Sequence, residues 1–588
     1  MASVILGGVP AYTAVDDWQF SSDSPAAIIS AATLSEVLPL LKSVETAVAG
    51  GAFAVVMLSY EAAPIFDHAL TVHQLEDFPL AWAAIFSGPE TPRRDTTNGV
   101  YHVNPWLPLV TPTQYEVSIE QIREFIARGD TYQVNYAFPL ACEFDGDPLA
   151  WYRDLCRAQP APYSAYLDLG KHKLLCLSPE LFFRRQGDRI TTKPMKGTAP
   201  RGRWVKEDDE RERSLRQSEK DRAENVMIVD LLRNDLGKIS IPGGVEVTRL
   251  FELERYDTLW QMTSTVEANL RAGVGLAEAL GALFPCGSIT GAPKIRTMQI
   301  IRELEPFPRG AFTGTIGLVR PGGDCCFNVA IRTVVLNSST GRATFGVGGG
   351  ITFSSTPKGE YEECLVKAAF LTRKVPEFNL LESLLLEHGE FFLLERHLNR
   401  LRESSQYFGF KFDEAQVLTL LRKASEVHHT GCWKVRLLQN KDGACEIEMT
   451  TLTPGPAGTR GVSGLVPRRI KLAPAPVDVN DRFLFHKTTY RALYDEALKS
   501  APDCDDVILW NEGGEVTESI IANVVVSLDG RLCTPPVESG LLAGTFRAEL
   551  LDQGVIQERR ILTRELQAAS SFYLINSVRK WMPAVLVD

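Results

Sequence analysis

Lys196 sits between Met195 and Gly197 in TTKPMKGTAPRG, where a strand-like run enters a loop. On a loop a lysine usually just keeps the surface hydrated. Enclosed away from water, the same amine loses part of its charge at neutral pH and becomes a nucleophile. The polar groups brought near it decide between these roles. In AENVMIVDLLRNDLG, Glu224, Asp230, Arg233, Asn234 and Asp235 ride on a helix whose apolar residues leave little exposed face. Buried charges of that kind need a partner or a metal, and an Asp230–Arg233 bridge is the plain alternative for two of them. GVGGGITFSSTPKGEYEECLVKA joins the glycines 346, 348, 349 and 350 to Glu360 and Glu363, which share a helix face ahead of Lys367. A glycine run lets backbone N–H groups converge on an anion, and such carboxylates suit Mg²⁺ that keeps its waters. In PCGSITGAPKIRTMQII, Pro293 is placed to open a helix. Lys294 and Arg296 near its start oppose the helix dipole, which a bound anion would relieve. Arg332 interrupts the apolar strand FNVAIRTVVL and suits a carboxylate clamp. Together these groups describe a site for a small dicarboxylate whose leaving hydroxyl needs a Lewis acid.

The elements that must position them come from a chain of 588 residues, long enough for several cores. With 45% hydrophobic and 23% charged residues the composition is that of a globular protein. A formal net charge of -11 argues against nucleic acid and anionic membrane as partners. The opening MASVILGGVPAYTAVDDW lacks a secretory pattern and no apolar run is long enough to span a bilayer, so a cytoplasmic location is expected. The 11 cysteines have no disulfide-framework spacing and read as reduced, buried thiols.

Strand-like runs such as FAVVMLSY and APYSAYLDL alternate with helical ones up to Lys374, predicting an α+β domain over 1–374. Val375 before Pro376 disfavours helix continuation and marks a short linker at 375–378. The pattern restarts over 379–588 with a hairpin-like EHGE turn, then a helix carrying Leu398, Leu401 and Ser405 on one face.

SPELFFRR, PMKGTAPRG, ENVMIVDLLRNDLG, GSITGAPKIRTMQII and GVGGGITFSSTPKGEYEECLVKA, in that order, resemble the signature of the chorismate-utilising enzymes. The resemblance implies a chorismate-binding two-layer β-sandwich with flanking helices, taking chorismate and Mg²⁺. By matching position it implies Glu224, Glu360 and Glu363 as metal carboxylates and Glu180 as acid/base. Arg332, Gly197, Thr198, Thr290, Gly348, Gly349 and Lys367 would be substrate contacts. The residue before Gly197-Thr198 divides the family. Members forming anthranilate or isochorismate carry a small residue there, whereas aminodeoxychorismate synthases resemble this chain in carrying lysine, the residue that attacks the ring. Two positions depart from the pattern: Gln261 stands where many relatives have histidine, and Phe312 where many have tyrosine.

In the second domain HLNRLRES, HKTTYR, EVTESIIANVVV and TPPVESGLLAGTFR resemble fold-type IV pyridoxal-phosphate enzymes. That resemblance implies Lys487 as the cofactor-holding lysine, Glu518 beside the pyridine nitrogen, Arg400 on the phosphate, and Asn523, Gly544 and Thr545 as further contacts. It also implies homodimerisation through this domain. The fusion points to a synthase of 4-amino-4-deoxychorismate joined to a carbon–oxygen lyase that yields 4-aminobenzoate for folate. No Gly-x-Cys-x-Gly nucleophile elbow is present, so a separate glutamine amidotransferase subunit is the expected ammonia source. Two alternatives remain open: an anthranilate- or salicylate-type enzyme fused to an aminotransferase, and a non-catalytic chorismate-binding scaffold subunit.

Overall fold

The structure, a computed structural model, describes residues 3–7, 18–90, 99–452 and 466–587; the opening stretch read for a leader lies partly outside them. Compactness divides the chain into one unit of Met1–Arg201 with Arg211–Val375 and another of Gly202–Glu210 with Pro376–Asp588. Sequence placed residues 202–210 in the first domain. They pack instead within the second unit, where Trp204 stacks on Phe485 at 4.9 Å and the Tyr407 hydroxyl donates to the Gly202 carbonyl. Among the described residues no helix is long and apolar enough to cross a membrane.

Alternation builds the first unit. In the strand Phe53–Leu58, Ala54, Val56 and Leu58 join a core with Val37, Leu41 and Val44 of the helix Leu34–Ala49. Val55 and Met57 point the other way, to Leu174, Cys176, Ile316 and Leu318. Successive side chains of a strand face opposite sides, so one six-residue strand serves two cores. The described residues form two ten-stranded sheets on this plan. One contains Gln133–Gly146, Arg342–Ile351 and His172–Ser178; the other contains Met195–Pro200, Leu259–Leu270 and Leu181–Gln186. Helices Pro112–Ala127, Pro148–Ala158 and Pro357–Ala368 cover the first sheet through Tyr115, Trp151 and Cys364. The N-cap Thr111, whose hydroxyl accepts from Gln114 N, and Pro112 in the first turn start the helix that bears Tyr115.

The glycine run whose backbone N–H groups were expected to converge on an anion is strand interior. Gly346, Gly348, Gly349 and Gly350 pair in register with Pro139, Ala137, Tyr136 and Asn135. Here the missing side chains serve packing: a Cβ at Gly346 would overlap the Phe312 ring, and one at Gly348 the Tyr136 carbonyl.

In the second unit the strands Leu380–Glu387, Cys432–Gln439 and Cys445–Leu452 form an antiparallel sheet backed by the helix Leu394–Phe408. The expected turn is the hairpin that pairs Glu387 with Glu390. A second, mixed sheet closes on itself through Val516–Ser519 and Asn523–Leu528. The pair that makes this closure is Glu518 with Asn523, so closing the ring also sets two cofactor candidates side by side.

Trp151 is 1% exposed and stacks on Phe144 at 4.7 Å. Trp151→Ala should therefore cost about 3 kcal/mol or more, read as a lower denaturant midpoint for the first unit; an unchanged midpoint would contradict this packing.

Candidate active sites

Lys196 lies on the strand Met195–Pro200, with Gly197 next to it at φ +87°, a conformation glycine adopts without strain. Its amine is enclosed. Burial pushes its pKa down, while the charges of Glu224 and Glu180 oppose that shift and Lys367 adds to it. The amine therefore sits among the carboxylates picked out by sequence. Glu180 is 3% exposed and accepts from Ser288 Oγ at 2.6 Å; burial raises its pKa to about 7 against the bond to Ser288 and the charge of Lys196. A carboxyl poised there can give a proton at neutral pH and take it back.

Gln261 is integral to this site. Its Nε2 donates to the Gly197 carbonyl at 2.8 Å and its Oε1 accepts from Thr198 Oγ1 at 3.0 Å, so it clamps the turn behind the lysine. Thr290 is buried, its hydroxyl donating to the Cys286 and Gly287 carbonyls, which makes it a turn-holding residue here. Lys367 donates to the Gly348 carbonyl at 3.0 Å and pairs with Glu363 at 2.8 Å. Arg332 has φ +52° and is partly buried beside Tyr256; burial lowers its pKa to about 10, and among the described residues no carboxylate pairs with it. A partly buried guanidinium without a carboxylate partner suits an incoming carboxylate.

The metal carboxylates form a looser set than expected. Among the described residues no three His, Cys, Asp or Glu side chains converge to hold a metal ion. Despite the upward push of burial, Lys367 holds the Glu363 pKa down. Glu360 accepts from Ser355 Oγ at 2.6 Å. The Glu224 pKa is raised, first by burial and in smaller part by the nearby charge of Glu360. Mg²⁺ takes one or two protein carboxylates and keeps waters, so the Glu224–Glu360 pair fits it in donor chemistry, with Glu363 already engaged.

The Asp230–Arg233 bridge named as the alternative is present at 2.9 Å, but on the exposed face of the helix Glu219–Gly237, so neither residue carries a buried charge. Lys294 and Arg296 pair with Asp235 and Asp130, at 2.7 and 3.4 Å, and so need no bound anion. Sequence analysis missed Gln133. It is fully buried with neither amide atom hydrogen-bonded, and a Cβ at Gly350 would overlap its Nε2 and approach Lys196 Nζ within 3.4 Å. The signal was a polar residue at an inward position of the strand QVNYAF.

In the second unit Lys487, Arg400, Glu518, Asn523, Gly544 and Thr545 line one cavity of about 340 Å³. Burial and then the charge of Arg400 lower the Lys487 pKa to about 8, leaving a reactive fraction of neutral amine near that pH. Glu382, also missed, holds the site together: it pairs with Arg400 at 2.7 Å and with His397 Nδ1 at 2.7 Å. Burial raises its pKa, but the charge of Arg400 and bonds to Arg400 and His397 more than reverse this, to about 2. Arg400 is thereby held against the Ala543 carbonyl, just before Gly544 and the start of the helix Thr545–Asp552. A Cβ at Gly544 would overlap Asn523 Oδ1, so only glycine lets this turn close on the cavity. Glu518 accepts from Tyr494 Oη at 2.7 Å and from Leu542 N at 3.3 Å, and burial raises its pKa to about 8. An amine, an arginine beside a helix start and a buried carboxyl fit pyridoxal phosphate in charge and hydrogen bonding.

Residues 13–373 match the family of chorismate binding enzymes, and residues 379–587 match the class IV amino-transferases. An aminodeoxychorismate synthase of Streptomyces griseus is 48% identical over 257 residues, covering 43% of this chain and 35% of that protein. An anthranilate synthase component 1 of Haloarcula marismortui is 42% identical over 259 residues, covering 44% of this chain and 53% of that protein. The chain thus spans about half or less of the length of these curated relatives. The crystal structure of anthranilate synthase component I from Streptococcus pneumoniae TIGR4 superposes with a TM-score of 0.52 at 24% identity, over 63% of this chain and 90% of that one, a likeness of fold.

The raised pKa of Glu180 sets a pH dependence. The folded state keeps a proton that the unfolded chain releases above 4.5, so this contribution to stability is full below pH 4.5 and is lost as pH rises through about 7. Glu180→Gln should flatten the fall in stability across that window, measured as urea midpoints at stepped pH. Parallel pH profiles for the two proteins would show that Glu180 titrates normally.

Proposed function

Residues 13–373 make the chain a member of the chorismate binding enzymes, and from that membership we propose that its first unit converts chorismate to 4-amino-4-deoxychorismate and its second unit removes pyruvate to leave 4-aminobenzoate. The observation that supports this most is Lys196, an enclosed amine facing the charges of Glu224 and Glu180, at the position where the resemblance implies a small residue in members that form other products.

Lys196 Nζ attacks ring C2 as the C4 hydroxyl departs; Glu180 supplies the proton and the hydroxyl leaves as water. Ammonia, delivered by a separate glutamine amidotransferase subunit, then bonds C4 as the C2–nitrogen bond breaks. The new C4 ammonium returns a proton to the Glu180 carboxylate, restoring the starting site. Arg332 binds a substrate carboxylate, and the clamp of Gln261 on Gly197 and Thr198 fixes the turn that aims the amine. Glutamine has no acid–base function, which suits a first unit that stops before pyruvate leaves. Glu224 and Glu360 would hold Mg²⁺, which neutralises carboxylate charge on the substrate.

In the second unit Arg400, Asn523 and the Gly544–Thr545 turn would hold pyridoxal phosphate, which supplies an electron sink when bound. Lys487 Nζ takes the proton from substrate C4, the C3–oxygen bond breaks as the ring becomes aromatic, and the departing enolate takes that proton back from Lys487 at its methylene carbon to become pyruvate. Glu518 would keep a proton at the pyridine nitrogen.

The full chain supplied with chorismate, Mg²⁺, ammonium and pyridoxal phosphate should yield 4-aminobenzoate and pyruvate by mass analysis; anthranilate as product would overturn the proposal. Lys196→Ala should lower aminodeoxychorismate formation by about a thousandfold or more, as removal of a nucleophile does, while pyruvate release from supplied aminodeoxychorismate continues. Lys487→Ala should show the converse, with the amino intermediate accumulating.

A further inference from the structure

The cavity of the second unit carries more positive charge than a phosphorylated cofactor uses. Besides Arg400, its lining includes Lys434, Arg436, Arg491 and Arg579. Lys434 and Arg436 are two apart on the strand Cys432–Gln439 and so share a face, in register with Leu385 and Ser383 of the neighbouring strand. Arg436 pairs across the sheet with Glu448 at 2.8 Å, whereas the residue opposite Lys434 is the neutral Thr450. Arg491 donates to the Ile520 carbonyl at 2.6 Å and lies over the Tyr494 ring at 4.7 Å. Among the described residues Lys434, Arg491 and Arg579 have no carboxylate partner.

The four charges act on one another. The Lys434 pKa is lowered by burial first and then by Arg436, Arg579 and Arg491, with Glu448 opposing. Like charges gathered in a half-enclosed pocket destabilise the empty protein, and an anion entering the pocket relieves them. The chain as a whole carries a formal net charge of -11, so this is a local reversal of sign. Leu381, Phe483, Tyr490 and Ile520 in the same lining add apolar faces for a ring. One substrate carboxylate would leave two of these three unpartnered cations unmatched; two would leave one.

We propose that Lys434, Arg491 and Arg579 are specificity-determining residues that bind a second carboxylate and so select ring-bearing dicarboxylates over monocarboxylate amino acids. The proposal rests on reading this cavity as the pyridoxal-phosphate site and names the substrate class that it admits.

The test uses the full chain loaded with pyridoxal phosphate, carrying Arg332→Gln to silence the carboxylate clamp of the first unit. Calorimetric titration compares benzene-1,3-dicarboxylate with benzoate. The dicarboxylate should bind about tenfold tighter or more, and Lys434→Gln or Arg579→Gln should each remove about tenfold of its affinity, as loss of a charge-assisted contact does. Benzoate binding should change less than about twofold, and retained cofactor absorbance shows that each variant is folded. Equal affinity for the two probes, or dicarboxylate binding untouched by both substitutions, overturns the proposal. Pyruvate release from aminodeoxychorismate, measured with Arg332 intact, separates this outcome from the lyase reading. Dicarboxylate preference without pyruvate refutes the lyase reading and leaves the clamp standing; pyruvate release with KM unchanged in both variants refutes the clamp alone.

Discussion

An enclosed amine is stable as a cation only where carboxylates face it, and reactive as a neutral group only where they do not face it too strongly. Both units are organised around that balance. At Lys196, burial pushes toward the neutral form while Glu224 and Glu180 pull back. At Lys487, burial and Arg400 push in the same direction, and Glu382 and Glu518 pull back. The carboxyls share in the compromise, since burial raises Glu180 to about 7 and Glu518 to about 8. Each site therefore holds a base and an acid whose proton affinities have been drawn toward neutrality from opposite ends.

The folds serve this balance by different means. In the first unit, sheet faces bring together groups far apart in sequence: Gln133 and Lys196 meet across the space that Gly350 leaves empty. In the second, closure of a ring of strands pairs Glu518 with Asn523, and the buried Glu382 anchors Arg400 through an ion pair. Glycine has a steric role at both sites, at Gly350 and at Gly544, each at a point where a Cβ would overlap a functional amide.

Much of this was legible in the residues. The alternation of Ala54, Val56 and Leu58 against Val55 and Met57 announces a strand buried on both sides, and the residues that the resemblance implied for the cofactor do line one cavity. Long-range pairing was not legible. Lys294 looked like a cation awaiting an anion because Asp235, its partner, lies on a different helix. Glycines 346 to 350 looked free to turn their N–H groups on an anion because no local signal shows that Gln133–Gly146 pairs with them. Gln133 and Lys434 were overlooked for a similar reason. A polar residue at an inward strand position reads as ordinary alternation until the register shows what it faces.

The chemistry proposed for the first unit turns on whether the Lys196 amine forms a bond to the substrate. The direct measurement is peptide-mapped mass spectrometry of the full chain incubated with chorismate and Mg²⁺ without ammonium, then quenched in acid. A peptide containing Lys196 should gain the mass of chorismate less one water, with no such gain in Glu180→Gln, which cannot supply the leaving proton. Steady production of aminodeoxychorismate on adding ammonium, with Lys196 unmodified at every time point before and during turnover, would contradict it.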